Sequence, residues 1–214
     1  MSSETAKPPC TVWKEPNAVL IHVVLEDIEP PVWRRLVVPL TITLAEFHHV
    51  LQAAMGWTDS HLHQFEIGGL CYGDVHVLNL DLADGFARAF DSTIVRLRDF
   101  RFRKGRRLSF TYEYDFGDNW RHTVTFEELL AETPAPKTAI CIDGARCCPP
   151  EDVGGSYSYT EFLRVLFDPE PDETDEQKHL QSWSGGKFDP EFFDLAKTDK
   201  AVRGALRKRR RKQG

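Results

Sequence analysis

The sequence predicts an α+β fold: an antiparallel sheet with helices packed on it. Three patterns predict it. Residues 19–55 read as strand, strand, helix; residues 158–167 read as a second capped amphipathic helix; and an aromatic hairpin at about 107–128 alternates with period two between them.

The opening strand is carried by Val19, Ile21, Val23 and Leu25 alternating with more polar neighbours. Glu29-Pro30-Pro31 breaks it, and Val32 to Val38 resumes as its antiparallel partner. Thr43-Leu44-Ala45-Glu46 is a capping box, so a helix starts there. It runs to about Met55, burying Leu44, Phe47, Val50, Leu51 and Ala54, with Gly56 as its left-handed stop. This opening matches the first half of a β-grasp. His61 to Ile67 is a third strand, turned by Gly68-Gly69. Residues 74–92 read as a loop with at most short elements, and Arg96 to Phe102 as a strand or a helical turn.

In the hairpin, Leu108, Phe110, Tyr112, Tyr114 and Phe116 share one face of a strand. Trp120, His122, Val124 and Phe126 share a face of the next. Pairing Phe116 with Trp120, Tyr114 with His122, Tyr112 with Val124 and Phe110 with Phe126 leaves a loop Gly117-Asp118-Asn119, Asn119 taking the left-handed position. That register buries His122 among aromatics and sets Asp115 beside Arg121 on the other face.

Beyond the hairpin, Cys141 to Ser156 is rich in Gly, Pro and Asp and reads as an ordered irregular loop. Ser158-Tyr159-Thr160-Glu161 is a second capping box, and Asp168-Pro169 ends its helix. Glu173 to Trp183 reads as a third helix, and Asp189-Pro190 as the start of a short fourth.

A chain of 214 residues suffices for one sizeable core. No run of about 18 apolar residues occurs, which argues against a membrane-spanning helix. The first 17 residues lack an apolar signal region and read as a disordered lead, and five cysteines, an odd number, fit a reducing cytoplasm. The organisation expected is a lead at 1–17, one domain at 18–200 and a basic tail at 201–214.

The net charge of −6 is unevenly spread. Eight of the 27 basic residues but only one of the 33 acidic ones fall in 199–214, so the rest holds 19 basic against 32 acidic groups. Such a body repels phosphate. Only the run Arg207, Lys208, Arg209, Arg210, Arg211 and Lys212 offers non-specific nucleic-acid contact, and a solvated end is the simpler reading of it.

Several blocks taken in order carry a family resemblance. They are Ile28-Glu29-Pro30-Pro31-Val32-Trp33-Arg34-Arg35, Leu51-Gln52-Ala53-Ala54-Met55-Gly56-Trp57, Ser60-His61-Leu62-His63-Gln64-Phe65 and Tyr72-Gly73-Asp74. Tyr114 to His122, Cys141-Ile142-Asp143-Gly144, Cys148 to Gly155 and Phe188-Asp189-Pro190 complete the set. Together they resemble the plasmid Ri ORF-3-like family, also labelled insertion-element passenger TnpR proteins, over about residues 18–200. The resemblance implies an α+β domain associated by name with mobile elements, and no particular activity. Where the family usually carries Cys this chain has Val153, and Cys147 stands where Ala is frequent, so a shared cysteine metal site would lack a ligand here.

Cys141, Cys147 and Cys148 form no C-x-x-C pair and read as small buried thiols rather than a zinc knuckle. His61 and His63 share a strand face, and with His122 and Asp115 or Asp118 they are the candidates for a divalent-metal site; no cofactor is favoured, and His61, His63, Asp118 and His122 are the alternative metal set. Glu151-Asp152 beside Gly154-Gly155 reads as a turn rather than an acid–base pair. If the loops after 56, 116 and 144 converge, Trp57, His61, His63, Tyr72, Trp120, His122, Tyr157 and Tyr159 form a concave ligand-binding surface rimmed by Asp59, Asp118 and Arg146. With no complete catalytic motif, a binding or adaptor module for a protein, peptide or small ligand is the favoured reading. The alternative is a metal-dependent hydrolase, acting on nucleic acid in one version.

Overall fold

A computed structural model of the chain describes residues 15–81, 89–100, 107–167, 178, 182 and 188–210. β1 (Ala18–Leu25) and β2 (Trp33–Pro39) pair antiparallel and lead into α1 (Leu44–Met55). β3 (His63–Ile67), β4 (Leu70–Gly73), α2 (Val75–Asp81) and β5 (Ala89–Asp91) follow. β6 (Leu108–Tyr114), β7 (Trp120–Leu130) and β8 (Ile140–Ala145) then precede α3 (Gly155–Leu166) and α4 (Leu195–Arg210). The eight strands form one sheet in the order β5-β4-β3-β6-β7-β1-β2-β8. Its pairs are antiparallel except β4 with β5, which run parallel. The α+β class read from the pattern of elements is the fold observed.

The core lies where the apolar faces of β1, β2, β6 and β7 meet α1. Ile21 and Val23 of β1, Leu36 of β2, and Phe47, Val50 and Leu51 of α1 are wholly buried in it. The capping box at Thr43 is present in both directions: Glu46 N donates to Thr43 Oγ1 at 3.1 Å and Thr43 N to Glu46 Oε2 at 2.9 Å. Gly56 ends the helix at φ +89°, as a left-handed cap should. α4 packs on α1 and reaches β8, with Val202 completely buried.

Four expectations are corrected. The hairpin register is displaced by two residues: Tyr114 faces Trp120, Tyr112 faces His122, Phe110 faces Val124 and Leu108 faces Phe126. The residues that remain in the paired strands keep their expected faces, because a slip of two preserves the pleat, whereas Asp115 and Phe116 leave the strand. The loop becomes Asp115–Asn119, closed by Asn119 N on Asp115 O at 2.6 Å, and Asn119 does take a left-handed φ of 55°. Arg121 consequently faces Glu113 rather than Asp115.

Second, α3 begins at Gly155 behind a left-handed Gly154, so Ser158 lies inside the helix and caps nothing. Third, Asp189-Pro190 forms a turn, and the helix starts only at Leu195. Fourth, the basic segment does not separate at 201, because α4 runs through to Arg210 and its apolar residues dock on the fold. The segment 141–156 also contributes β8, and Arg96–Phe102 holds a short 3-10 turn at Leu97–Asp99. The helix expected at 173–183 lies outside the described residues apart from 178 and 182, which are helical. Asn17, placed in the lead, already donates to Leu130 O at 2.9 Å.

Candidate functional site

Three loops converge beside α1: residues 57–62, 115–119 and 146–155. Trp57 Nε1 donates to Pro149 O at 3.0 Å, and Gly154 N donates to Asp118 Oδ2 at 2.9 Å. At Gly155 the backbone approaches so closely that a Cβ would stand 2.6 Å from Asp118 O, at a φ of +80°. Glu151 accepts from Thr58 N at 3.0 Å and from the Tyr114 hydroxyl, while Ser60 N donates to Tyr114 Oη at 3.0 Å. Against burial, which would raise it, the hydrogen bonds from Thr58 and Tyr114 hold the Glu151 carboxyl below its usual value.

A closed polar network sits on the α1 side. Asp59 N donates to Gln52 Oε1 at 3.1 Å, which turns the Gln52 amide nitrogen toward Tyr112 Oη at 3.0 Å. The Tyr112 hydroxyl then has His48 Nδ1, 2.8 Å away, as its acceptor. His48 therefore carries its proton on Nε2 and donates it to Asp59 Oδ1 at 2.6 Å. His49 Nδ1 lies 3.2 Å from the other carboxylate oxygen. Burial opposes ionisation of Asp59, but the His48 hydrogen bond and the nearby imidazoles hold its carboxyl below the ordinary value. His63 stacks on His48 with ring centroids 3.5 Å apart and planes within 4°. Burial first, then His48, depress the His63 imidazole to about 3.

Outside this network, a second group forms where β3, β6 and the loop before α3 meet. His61 Nε2 stands 2.8 Å from Asp152 Oδ1 and 3.6 Å from Asp115 Oδ2. Asp115 is nine-tenths buried, and its other oxygen accepts from Gly117 N at 3.0 Å and Asp118 N at 3.3 Å.

The concave aromatic surface expected from the sequence is mostly interior. Trp57, Tyr72, Trp120 and His122 are buried, and only Tyr157 among the aromatic candidates is strongly exposed. Trp57 packs on Tyr114, Trp120 and His122 at 5.1, 5.9 and 5.4 Å between centroids. Tyr72 instead meets Phe90 and Phe100 across β4. Arg146 is buried rather than at a rim, donating to Pro30 O and to Glu191. His122 is wholly buried as expected, its Nδ1 3.3 Å from Tyr112 O, and burial depresses it to about 4. His61, His63, Asp118 and His122 do not converge on one point as a metal set. His63 goes to His48, His122 to the core and Asp118 to Gly154; only His61 joins other ligand types.

Sequence reading missed His48, His49 and Gln52. The signal was present: His48 and Gln52 lie on the buried stripe of α1 with Leu44, Leu51 and Met55, and a polar pair on such a stripe needs partners. Of the three neighbouring cysteines, Cys141 and Cys148 are buried free thiols, pushed by burial up to about 11 and about 12, whereas Cys147 is only partly buried.

Beside the Asp59 network lies a cleft of about 900 Å³ between α1 and α4. His49, Gln52, Trp57 and Asp59 form one wall, and Lys197, Lys200, Ala201 and Gly204 the other.

Fold and cleft together define an α+β protein with an eight-stranded sheet and a cleft between α1 and α4. The chain belongs to the family of plasmid pRiA4b ORF-3-like proteins, whose family model matches residues 17–197. It is 37% identical over 191 residues to the uncharacterized protein y4hQ of Sinorhizobium fredii, covering 87% of this chain and 91% of that one. It is also similar to the crystal structure of MM3350, a protein of unknown function from Methanosarcina mazei Go1. There the TM-score is 0.70 at 32% identity, over 84% of this chain and 95% of the other. Among the described residues no helix is long and apolar enough to cross a membrane.

Proposed function

We propose that this protein is a binding module that takes a small anionic ligand in the cleft between α1 and α4. One observation carries the reading: Lys197 and Lys200 both line a cleft of about 900 Å³, and among the described residues neither has an ionic partner. Unpaired cations at a concave site attract phosphate or carboxylate groups. The opposite wall carries Trp57, Gln52 and the Asp59 carboxylate, which a ligand would meet with an uncharged or hydrogen-bond-donating part. The volume suits a metabolite-sized molecule. The free, buried thiols are in keeping with a reducing cytoplasm.

The test is thermal denaturation with inorganic pyrophosphate and with citrate as probes. Saturable stabilisation of the wild type, lost in Lys197→Glu/Lys200→Glu, supports the reading. Equal stabilisation of both proteins, or none with either anion, refutes it.

A further inference from the structure

We propose that His61, Asp115 and Asp152 form a binding site for a first-row divalent cation, with Mn²⁺ the best match. This goes beyond the anion cleft and does not depend on it. The donors come from three chain segments: the approach to β3, the exit of β6 and the loop before α3. Each is fixed independently. Asp115 Oδ1 is occupied by two backbone N–H groups, which leaves Oδ2 aimed at His61. That oxygen belongs to a residue only 8% exposed, and among the described residues it has no hydrogen bond, its nearest imidazole nitrogen being 3.6 Å away. A mostly buried carboxylate with one oxygen free of backbone donors is a ready ligand for a cation.

The spacing is compatible with a shared ion as well as with the His61–Asp152 hydrogen bond. Bonds of about 2.1 Å place neighbouring donors roughly 3.0 Å apart at right angles and roughly 3.4 Å apart at tetrahedral angles. The separations of 2.8 and 3.6 Å from His61 lie close to that range, and all three donors fall within 4.8 Å of one another. The other histidine–carboxylate group, His48, His49 and Asp59, fits worse. Its 2.6 Å His48–Asp59 contact is too short for two donors on one ion, and the hydrogen-bond network keeps a proton on that nitrogen. One imidazole and two carboxylates favour a cation of intermediate hardness. Hydrogen bonds to the far oxygen of Asp115 supply the outer-shell support that metal-binding carboxylates require.

The test uses the full chain without a histidine tag and Mn²⁺ alone as probe. Free Mn²⁺ is followed by electron paramagnetic resonance, and nitrogen coupling to bound Mn²⁺ by pulsed measurements. The wild type is expected to bind about one ion per chain with imidazole nitrogen coupling. Asp152→Asn is expected to bind at least about a hundredfold more weakly. Asp152 is exposed and left-handed, so Asn keeps the turn while removing the charge. His61→Gln should abolish the nitrogen coupling, and Asp59→Asn should change neither quantity. A wild type with no saturable Mn²⁺ binding overturns the proposal. Unaltered binding in Asp152→Asn, or retained nitrogen coupling in His61→Gln, places the ion elsewhere and overturns it equally. Because no anion is present, failure here leaves the cleft reading standing, and failure of the lysine test leaves this one standing.

Discussion

Arg34 Nε donates to Ala54 O at 2.9 Å, so a strand residue satisfies the C-terminal end of α1. The same guanidinium reaches Trp33 O and Ala145 O at 2.8 Å and Arg146 O at 2.9 Å, while lying 4.3 Å from the Phe193 ring centroid. It is a buried cation held by carbonyl dipoles and an aromatic face. Burial draws its pKa down, and the neighbouring cysteines act in the other direction.

Arg34→Ala should therefore cost more than about 3 kcal/mol, because four carbonyl groups lose their donor in the interior. Arg34→Lys should recover little of it, since one ammonium cannot span that planar fork. Urea denaturation of the two variants checks this. A loss below about 1 kcal/mol for Ala would contradict it.

Gly155→Ala should destabilise far more than Gly56→Ala. Both glycines have positive φ, 80° and 89°, so each alanine carries a comparable backbone penalty of about 1 kcal/mol. At Gly56 a Cβ meets nothing within 4 Å, whereas at Gly155 it meets Asp118 O at 2.6 Å. Equal melting temperatures for the two variants would show that the loop contact does not constrain the fold.

Stability should fall on acidification below neutrality because of His122. Burial keeps its imidazole neutral down to about 4, against 6.5 for the ordinary side chain. Between those values the unfolded chain binds more protons than the folded one, so stability rises with pH through the window and is lost as pH drops through it. The loss amounts to about 3 kcal/mol for a shift of this size. Unfolding free energies at pH 7 and pH 5 should differ less in His122→Phe than in the wild type; identical pH dependence would refute the assignment.

The basic run can be tested by deletion, but the cut belongs after Leu206, which packs partly against the core. Removing 207–214 should leave the melting temperature nearly unchanged and abolish low-salt affinity for DNA. Any such affinity in the full chain should fall steeply with salt through counterion release. Val202→Asp, by contrast, places a charge at a fully buried position and should release α4 from α1, read as a lowered melting temperature and altered amide exchange along both helices.

How far the fold was legible depends on what each signal encodes. The cap at Thr43, the stop at Gly56 and the alternation of β1 and β2 are local chemistry, and they stand as read. Alternation in the hairpin fixes faces but not offset, because displacement by two residues leaves every face unchanged. The offset is set by Asp115, which leaves the strand at φ +58° and receives Asn119 N on its carbonyl. That choice is three-dimensional, since Asp115 N also donates to Leu62 O of a distant loop. Likewise Ser158 had capping chemistry, but Gly154 and Gly155 supply positive φ at a junction that must approach Asp118, and the helix begins there. Within the site, Asp59 was read as a rim residue and His61 as the first residue of a strand that in fact begins at His63. Their partners His48 and Asp152 were not paired with them, because those pairings are made only when α1 and the loop before α3 come together.

Asp59, Asp115, Arg146 and Asp152 all hold positive φ, between 58° and 67°. This gives the molecule a substitution grammar. Backbone and charge are separable at the aspartates: asparagine or glycine preserves the bend while erasing the carboxylate, whereas valine or isoleucine distorts the loop whatever its polarity. A variant with Asn at 152 would thus retain the shape of this surface and lose the proposed cation site, so architecture and charge can change independently here.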